Sequence, residues 1–204
     1  MTERREVPGT EKEPTFIGRG EIDSQFMKMV NHISRQNMSR CWHCWTCGGG
    51  CPFSHNMDFL PNQAIRLIQL GQKEEVLRSG MIWQCIGCHT CSVQCPNSVD
   101  IAAIMDALRQ LSIRYGFADP RNDVYRFHKS ACESIRRHGR LNKLETIVRY
   151  RLRTGGLLSD MADGIRMLLK GKIGFRGKRI KGKAELRRIF AHYDNRRGSF
   201  KPHE

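Results

Sequence analysis

The chain has 204 residues, 35 Lys and Arg against 20 Asp and Glu, a net charge of +15 and nine cysteines. A mean hydropathy of −0.53, with no apolar run near the ~20 residues of a spanning helix, argues against an integral membrane protein. The first residues lack the apolar stretch of a secretory signal, so we expect a cytoplasmic protein, whose cysteines stay reduced and serve as metal ligands or redox groups.

The charge is divided unevenly along the chain. Residues 1–120 carry 12 Lys and Arg against 12 Asp and Glu, whereas residues 121–204 carry 23 against 8. Two regions with different physical properties therefore meet near Pro120. We expect a mobile tail over residues 1–20, a domain that contains eight of the cysteines over 21–118, a basic helical region over 119–192, and a frayed end over 193–204.

Apolar residues recur at helical spacing through the cysteine-containing region. Phe26, Val30 and Ile33 predict a helix before the first cysteine. A second helix is predicted from Pro61 to Gly71, and a short one through residues 74–78. Asp100 is a suitable N-cap for a further helix that carries Ile101, Ile104, Leu108 and Leu111.

The basic region repeats this pattern. Helices are predicted to end at Gly139, at Gly155 and at Gly171, and a last short helix is predicted near residues 184–190. No convincing strand pattern occurs, so the predicted fold class is mostly α. The 33 residues between Cys51 and Cys85 read as helical, which favours a helical ferredoxin-like scaffold over the small β-rich type.

Two cysteine runs share the spacing C-x2-C-x2-C-x3-C-P, in CWHCWTCGGGCP from Cys41 and CIGCHTCSVQCP from Cys85. This is the ferredoxin spacing for [4Fe–4S] clusters, in which the fourth cysteine of a run binds the cluster of the other run. We therefore predict two [4Fe–4S] clusters. Cluster 1 is assigned to Cys41, Cys44, Cys47 and Cys95, and cluster 2 to Cys85, Cys88, Cys91 and Cys51.

The alternative is a pair of zinc sites, which also use C-x2-C pairs but need neither a third cysteine nor the following proline. With every ligand position filled, the clusters are expected to carry single electrons, and no catalytic residue is assigned. His43 and His89 are expected not to be ligands. Trp42, Trp45 and Trp83 flank ligands and are expected to shield the clusters from water, whereas Cys132 is expected to be a small buried apolar residue.

The twin runs, the linker PNQAIRLIQLGQKEEVLRSGMIWQC and the distal segments IRRHGRL, YRLRTGGLL, MLLKGKI and RIKGKAELRRIF resemble the C subunit of heterodisulfide reductase over residues 20–192. The cysteine motifs alone are shared with other helical ferredoxin modules, including those of succinate and glycerol-3-phosphate dehydrogenases. The aromatic-rich first run favours the bacterial, sulfur-oxidising type of the family.

The resemblance implies a non-catalytic electron-transfer subunit of a hetero-oligomer. It would relay electrons through its two clusters from the flavin-containing A subunit to the catalytic, cysteine-rich B subunit, with the eight cysteines above as ligands. The basic region would dock onto an acidic partner; a solvated surface, or binding to nucleic acid or membrane, are the other interpretations. Three alternative functions are an iron–sulfur subunit of another soluble dehydrogenase, a freely diffusing ferredoxin, and a nucleic-acid-binding protein with structural clusters.

Overall fold

The computed structural model describes residues 25–154 and 182–198, together with Asp23, Arg166, Lys170 and Ile180. These residues contain helices and no strand, so the predicted mostly α-helical class is confirmed. The helix predicted to end at Gly171 lies almost wholly outside the described residues. The α-helices are α1 (Phe26–Ser34), α2 (Thr46–Gly49), α3 (Pro61–Gln69), α4 (Lys73–Arg78), α5 (Met81–Gln84), α6 (Thr90–Val93), α7 (Ile101–Arg114), α8 (Asp123–His138), α9 (Lys143–Thr154) and α10 (Lys183–Gly198), with 3-10 turns at Met38–Arg40 and Ser54–Asn56.

Helix α7 is the centre of the core, and α1, α4, α5 and α6 pack around it. Asp100 begins the helix as predicted, because its carboxylate accepts a hydrogen bond of 3.2 Å from the Ala103 N–H. Fully burying an Ile or Leu side chain stabilises the fold by about 1.5–3 kcal/mol. The buried side chains of α7 include Ile101, Ile104, Met105, Leu108 and Leu111.

The segment between the two cysteine runs folds back on itself. Pro61 occupies the first turn of α3, where its missing N–H leaves no bond unmade. Gly71 ends the turn after α3 with a φ of +73°, a conformation that glycine adopts without strain. Helix α4 then returns along the core, and the Ser112 hydroxyl donates to the Leu77 carbonyl at 2.7 Å, which ties α4 to α7.

The basic region begins with an antiparallel pair of helices, α8 and α9. Glu133 accepts hydrogen bonds from Arg153 at 2.9 Å and from Arg149 at 3.2 Å. Burial alone would raise the pKa of Glu133, but these guanidinium groups outweigh it and hold the pKa below its ordinary value. Tyr125 packs edge-on against Trp83, with ring centroids 4.7 Å apart, so α8 is in contact with the cysteine-containing region.

Two features of the basic region differ from expectation. Helix α10 continues to Gly198, past the expected end at Phe190, and residues 193–198 are therefore helical rather than frayed. Arg136 of α8 explains this extension, since its guanidinium lies over the Phe190 ring at 5.3 Å and pairs with Asp194. The prediction for Cys132 is wrong: this cysteine is exposed, because it lies on the outer side of α8.

Candidate metal centres

The two cysteine runs fold into the same loop. In each run two residues adopt left-handed backbone angles, His43 (φ +54°) and Trp45 (+66°) in the first, Gly87 (+66°) and His89 (+59°) in the second. These pairs occupy equivalent positions, before and after the second cysteine. A left-handed conformation costs an L-residue roughly 1–2 kcal/mol, and strain of this kind is typical of functional sites.

Each loop then enters a one-turn helix, α2 after Trp45 and α6 after His89. The N–H groups of Gly48 and Gly49 both bond to the Trp45 carbonyl, at 3.0 and 2.9 Å, and the Val93 N–H bonds to the His89 carbonyl at 3.0 Å. The left-handed residues therefore turn the chain around the cysteines, and the short helices then carry it away from them.

The cysteines surround two separate cavities. Cavity I has a volume of about 340 Å³ and is lined by Cys41, Cys44, Cys47 and Cys95. Cavity II has a volume of about 430 Å³ and is lined by Cys51, Cys85, Cys88 and Cys91. Both volumes include the open mouths. The structure thus brings the fourth cysteine of each run together with the first three cysteines of the other run, which is the partition that the spacing predicts.

The two cavities adjoin each other. The Ile101 side chain, which is 1% exposed, forms part of the wall of both. The inner cysteines are also close enough to interact electrostatically, since the charge of Cys91 in cavity II raises the pKa of Cys47 in cavity I. Groups bound in the two cavities would therefore be neighbours.

Comparison with known proteins agrees with this arrangement. Residues 37–99 match the 4Fe-4S dicluster domain family. The chain is 28% identical over 110 residues to the C subunit of the H(2):CoB-CoM heterodisulfide,ferredoxin reductase of Methanothermobacter thermautotrophicus, a match covering 54% of this chain and 60% of the relative. It is 33% identical over 115 residues to the iron-sulfur C subunit of the CoB--CoM heterodisulfide reductase of Methanopyrus kandleri, covering 52% and 60%.

The chain belongs to the family of heterodisulfide reductase C subunits. A third member, from Methanosarcina acetivorans, is 34% identical over 89 residues, which cover 44% of this chain and 36% of the relative. The matches span about 60% of the length of the first relatives and about half of this chain. They are thus shorter than residues 20–192, over which the sequence was expected to resemble the family. Two [4Fe–4S] clusters are the cofactors of the matched domain.

The residues present fit such clusters. Four sulfurs spread around a cavity can hold the corners of a multi-atom group, and in the part of the chain that the structure describes no three His, Cys, Asp or Glu side chains converge on a single metal position. Burial raises the pKa of Cys47 to about 11, and neighbouring Cys41 adds to this shift. Burial also raises the pKa of Cys91. Because ligating cysteines must lose their protons, these sites need bound cations to become thiolates.

Two threonines were missed by the sequence reasoning. The Thr46 hydroxyl lies 3.4 Å from Cys44 Sγ, and the Thr90 hydroxyl lies 3.4 Å from Cys88 Sγ. A hydrogen bond from each hydroxyl lowers the pKa of the neighbouring cysteine. A signal for them was present in the sequence, because threonine directly precedes the third cysteine in both runs.

The aromatic residues near the cysteines differ in position. Trp42 lines the rim of cavity I and is 75% exposed, and Trp45 is 58% exposed. Trp83 is buried but packs against Tyr125, and it lines neither of the two cavities. The cavity walls are instead closed by aliphatic residues such as Ile65 and Met105, so the expected aromatic shielding by tryptophan is limited to Trp42.

The two histidines of the runs each contact a polar side chain. His43 Nε2 lies 2.8 Å from Gln69 Oε1, whose amide nitrogen in turn donates to the Met38 carbonyl. His89 Nδ1 lies 3.7 Å from the carboxylate of Asp100, the N-cap of α7. These contacts connect each loop to the helical scaffold. No helix among the described residues is long and apolar enough to cross a membrane.

Proposed function

We propose that the chain is an electron-transfer subunit of a heterodisulfide-reductase-like complex, in which it relays single electrons between a flavin subunit and a catalytic cysteine-rich subunit. The observation that carries this proposal is the pair of adjoining four-cysteine cavities with Ile101 between them. [4Fe–4S] clusters supply reversible one-electron chemistry when bound. A site with all its ligand positions filled carries electrons and does not bind substrate.

In this proposal the cysteines of cavity I and cavity II are the ligands of the two clusters. Cys47 is buried, whereas Cys44 and Cys88 are exposed. The buried sides face each other across Ile101, which keeps water out of the path between the sites. The exposed sides reach the surface, where a partner protein can approach each cluster from outside.

The basic region would hold the partners in place. It carries the whole net charge of the chain, and exposed apolar side chains on its helices, among them Phe127, Leu152, Ile189 and Tyr193, offer contact area. Complementary charge steers association and fixes orientation. We therefore assign α8, α9 and α10 to docking on acidic faces of the flavin or catalytic subunit.

Reconstitution tests the proposal. The full chain, loaded with iron and sulfide under anaerobic conditions, is mixed with the flavin and cysteine-rich subunits of the same organism. A complex of the three chains should form in size-exclusion chromatography, and stopped-flow absorbance should show reduction of the clusters by the reduced flavin subunit and their reoxidation by the catalytic subunit. Fully loaded chain that binds neither subunit, or that co-purifies with nucleic acid, would contradict the proposal.

A charge-reversal pair tests the docking role separately. Arg187→Glu with Arg188→Glu changes two exposed residues of α10, and Lys28→Glu with Arg66→Glu changes two exposed residues of the cysteine-containing region. The α10 variant should weaken binding more than the control, and raised salt should reduce the difference because it screens exposed charges. Equal effects of the two variants would argue against docking through α10.

A further inference from the structure

The two cavities differ in the polarity of their walls. Both contain a threonine and a histidine from the cysteine loops, but cavity I also contains the amides of Asn62 and Asn97. The remaining wall of cavity II is formed by apolar side chains. Those residues are Pro52, Phe53, Met57, Pro61, Ile86, Ile101, Ala102 and Met105.

Asn62 is the unusual member of the cavity I wall. It lies in the first turn of α3, is 4% exposed, and its Oδ1 is buried. Within the part of the chain that the structure describes, no group donates a hydrogen bond to that oxygen. A buried polar atom without a partner costs about 1–3 kcal/mol, so a side chain of this kind needs an explanation, and a group bound against it in the cavity is one.

The position of Asn62 against the cysteine loop is close. A Cβ atom added to Gly48, the residue after Cys47, would lie 2.5 Å from Asn62 Oδ1. The amide therefore rests directly on the backbone that follows a ligand, and only a residue without a side chain allows this approach. A half-turn about the last side-chain bond interchanges Oδ1 and Nδ2, so the same site can present an N–H donor to the cavity.

We propose that the Asn62 amide donates an N–H hydrogen bond to a sulfur of the cluster in cavity I, and that this makes cavity I the site of higher reduction potential. The sulfurs of such a cluster are acceptors only, so the donor end of the amide is the one that they favour. Reduction adds one negative charge, which a hydrogen-bond donor stabilises and an apolar wall does not.

The consequence for the relay is a direction. An electron delivered to the cavity II site moves downhill to the cavity I site, which is thereby reduced while the cavity II site returns to its oxidised state. The catalytic subunit would then take the electron at the Trp42 side of the chain. This inference rests on the proposed relay function and on the ligand grouping of the two cavities.

Redox titration of the fully loaded chain, followed by EPR under anaerobic conditions, tests the inference. In Asn62→Leu the higher of the two midpoint potentials should shift to a more negative value while the lower stays in place. Met105→Leu, a change in the apolar wall of cavity II, is the matched control and should leave both potentials unchanged. Asn62→Ala provides the same test if the leucine variant does not load with iron.

The unaltered chain gives a second, independent readout. Isotopic labelling of asparagine nitrogen should produce a nitrogen coupling in the pulsed EPR spectrum of the higher-potential cluster, and the coupling should be absent in Asn62→Ala. Unchanged potentials in the Asn62 variants, a shift of the lower potential alone, or no nitrogen coupling would overturn the inference. Those results leave the relay standing if both clusters load and transfer electrons, whereas failure to hold two clusters would remove both proposals.

Discussion

Two neighbouring glycines of the first cysteine loop provide a sharp test of the packing around cavity I. Gly48 and Gly49 both lie in α2, and neither has the positive φ that would disfavour alanine. Alanine at Gly48 would place its Cβ 2.5 Å from Asn62 Oδ1 and 3.4 Å from Leu60 Cδ1, whereas alanine at Gly49 would meet nothing within 4 Å. The two substitutions are chemically identical and differ only in their surroundings.

The magnitudes follow from this difference. Replacing a helical glycine by alanine stabilises a protein by about 0.5–1 kcal/mol, because alanine loses less backbone entropy on folding. Gly49→Ala should show that gain. At Gly48 the overpacking opposes it by about 1–3 kcal/mol. At about 2–4 °C per kcal/mol for a chain of this size, the Gly48→Ala midpoint should lie about 2–12 °C below that of Gly49→Ala.

The assay is thermal unfolding of the iron-loaded chain under anaerobic conditions, followed by far-UV circular dichroism. Both variants are heated at the same rate, because unfolding with loss of a cluster gives a rate-dependent midpoint. Iron content is measured first, so that only fully loaded samples are compared. Equal midpoints, or a higher midpoint for Gly48→Ala, would refute the close contact between Asn62 and the α2 backbone.

Three further predictions concern the ligands and the scaffold. Cys95→Ala should lose half of the iron; adding Cys41→Ala should lose no more, whereas adding Cys85→Ala should remove the rest, and the reverse pattern in iron analysis would reject the crossed assignment. Arg109 donates to the Ile82 carbonyl at 2.6 Å and to the Cys85 carbonyl, so Arg109→Met should cost about 1–3 kcal/mol, seen as a lower thermal midpoint; an unchanged midpoint would contradict this. Glu133→Gln weakens two partly buried ion pairs and should lower the midpoint by the equivalent of about 1 kcal/mol, more than Glu74→Gln at an exposed pair; the opposite order would show that the α8–α9 network contributes little.

Several elements of the fold were predictable because their causes are local. Asp100 as N-cap, Pro61 at a helix start, and Gly71 and Gly139 as helix ends each follow from the backbone preferences of one residue. Helical periodicity predicted α1, α3, α7 and α8 for the same reason. The prediction failed where a distant contact decides: α10 runs beyond Phe190 because Arg136, which lies far earlier in the chain, contacts Phe190 and Asp194.

The same division holds at the metal centres. The sequence by itself determined the cluster type and predicted the partner of each fourth cysteine, since three closely spaced thiolates can wrap only one cluster and the proline after the fourth turns the chain away. Only the tertiary structure decided that Ile101 separates the two cavities, that Asn62 rests on Gly48, and that the wall of cavity II is apolar. These features depend on how α3 and α7 pack against the loops, and packing between segments far apart in the chain leaves no local pattern in the sequence.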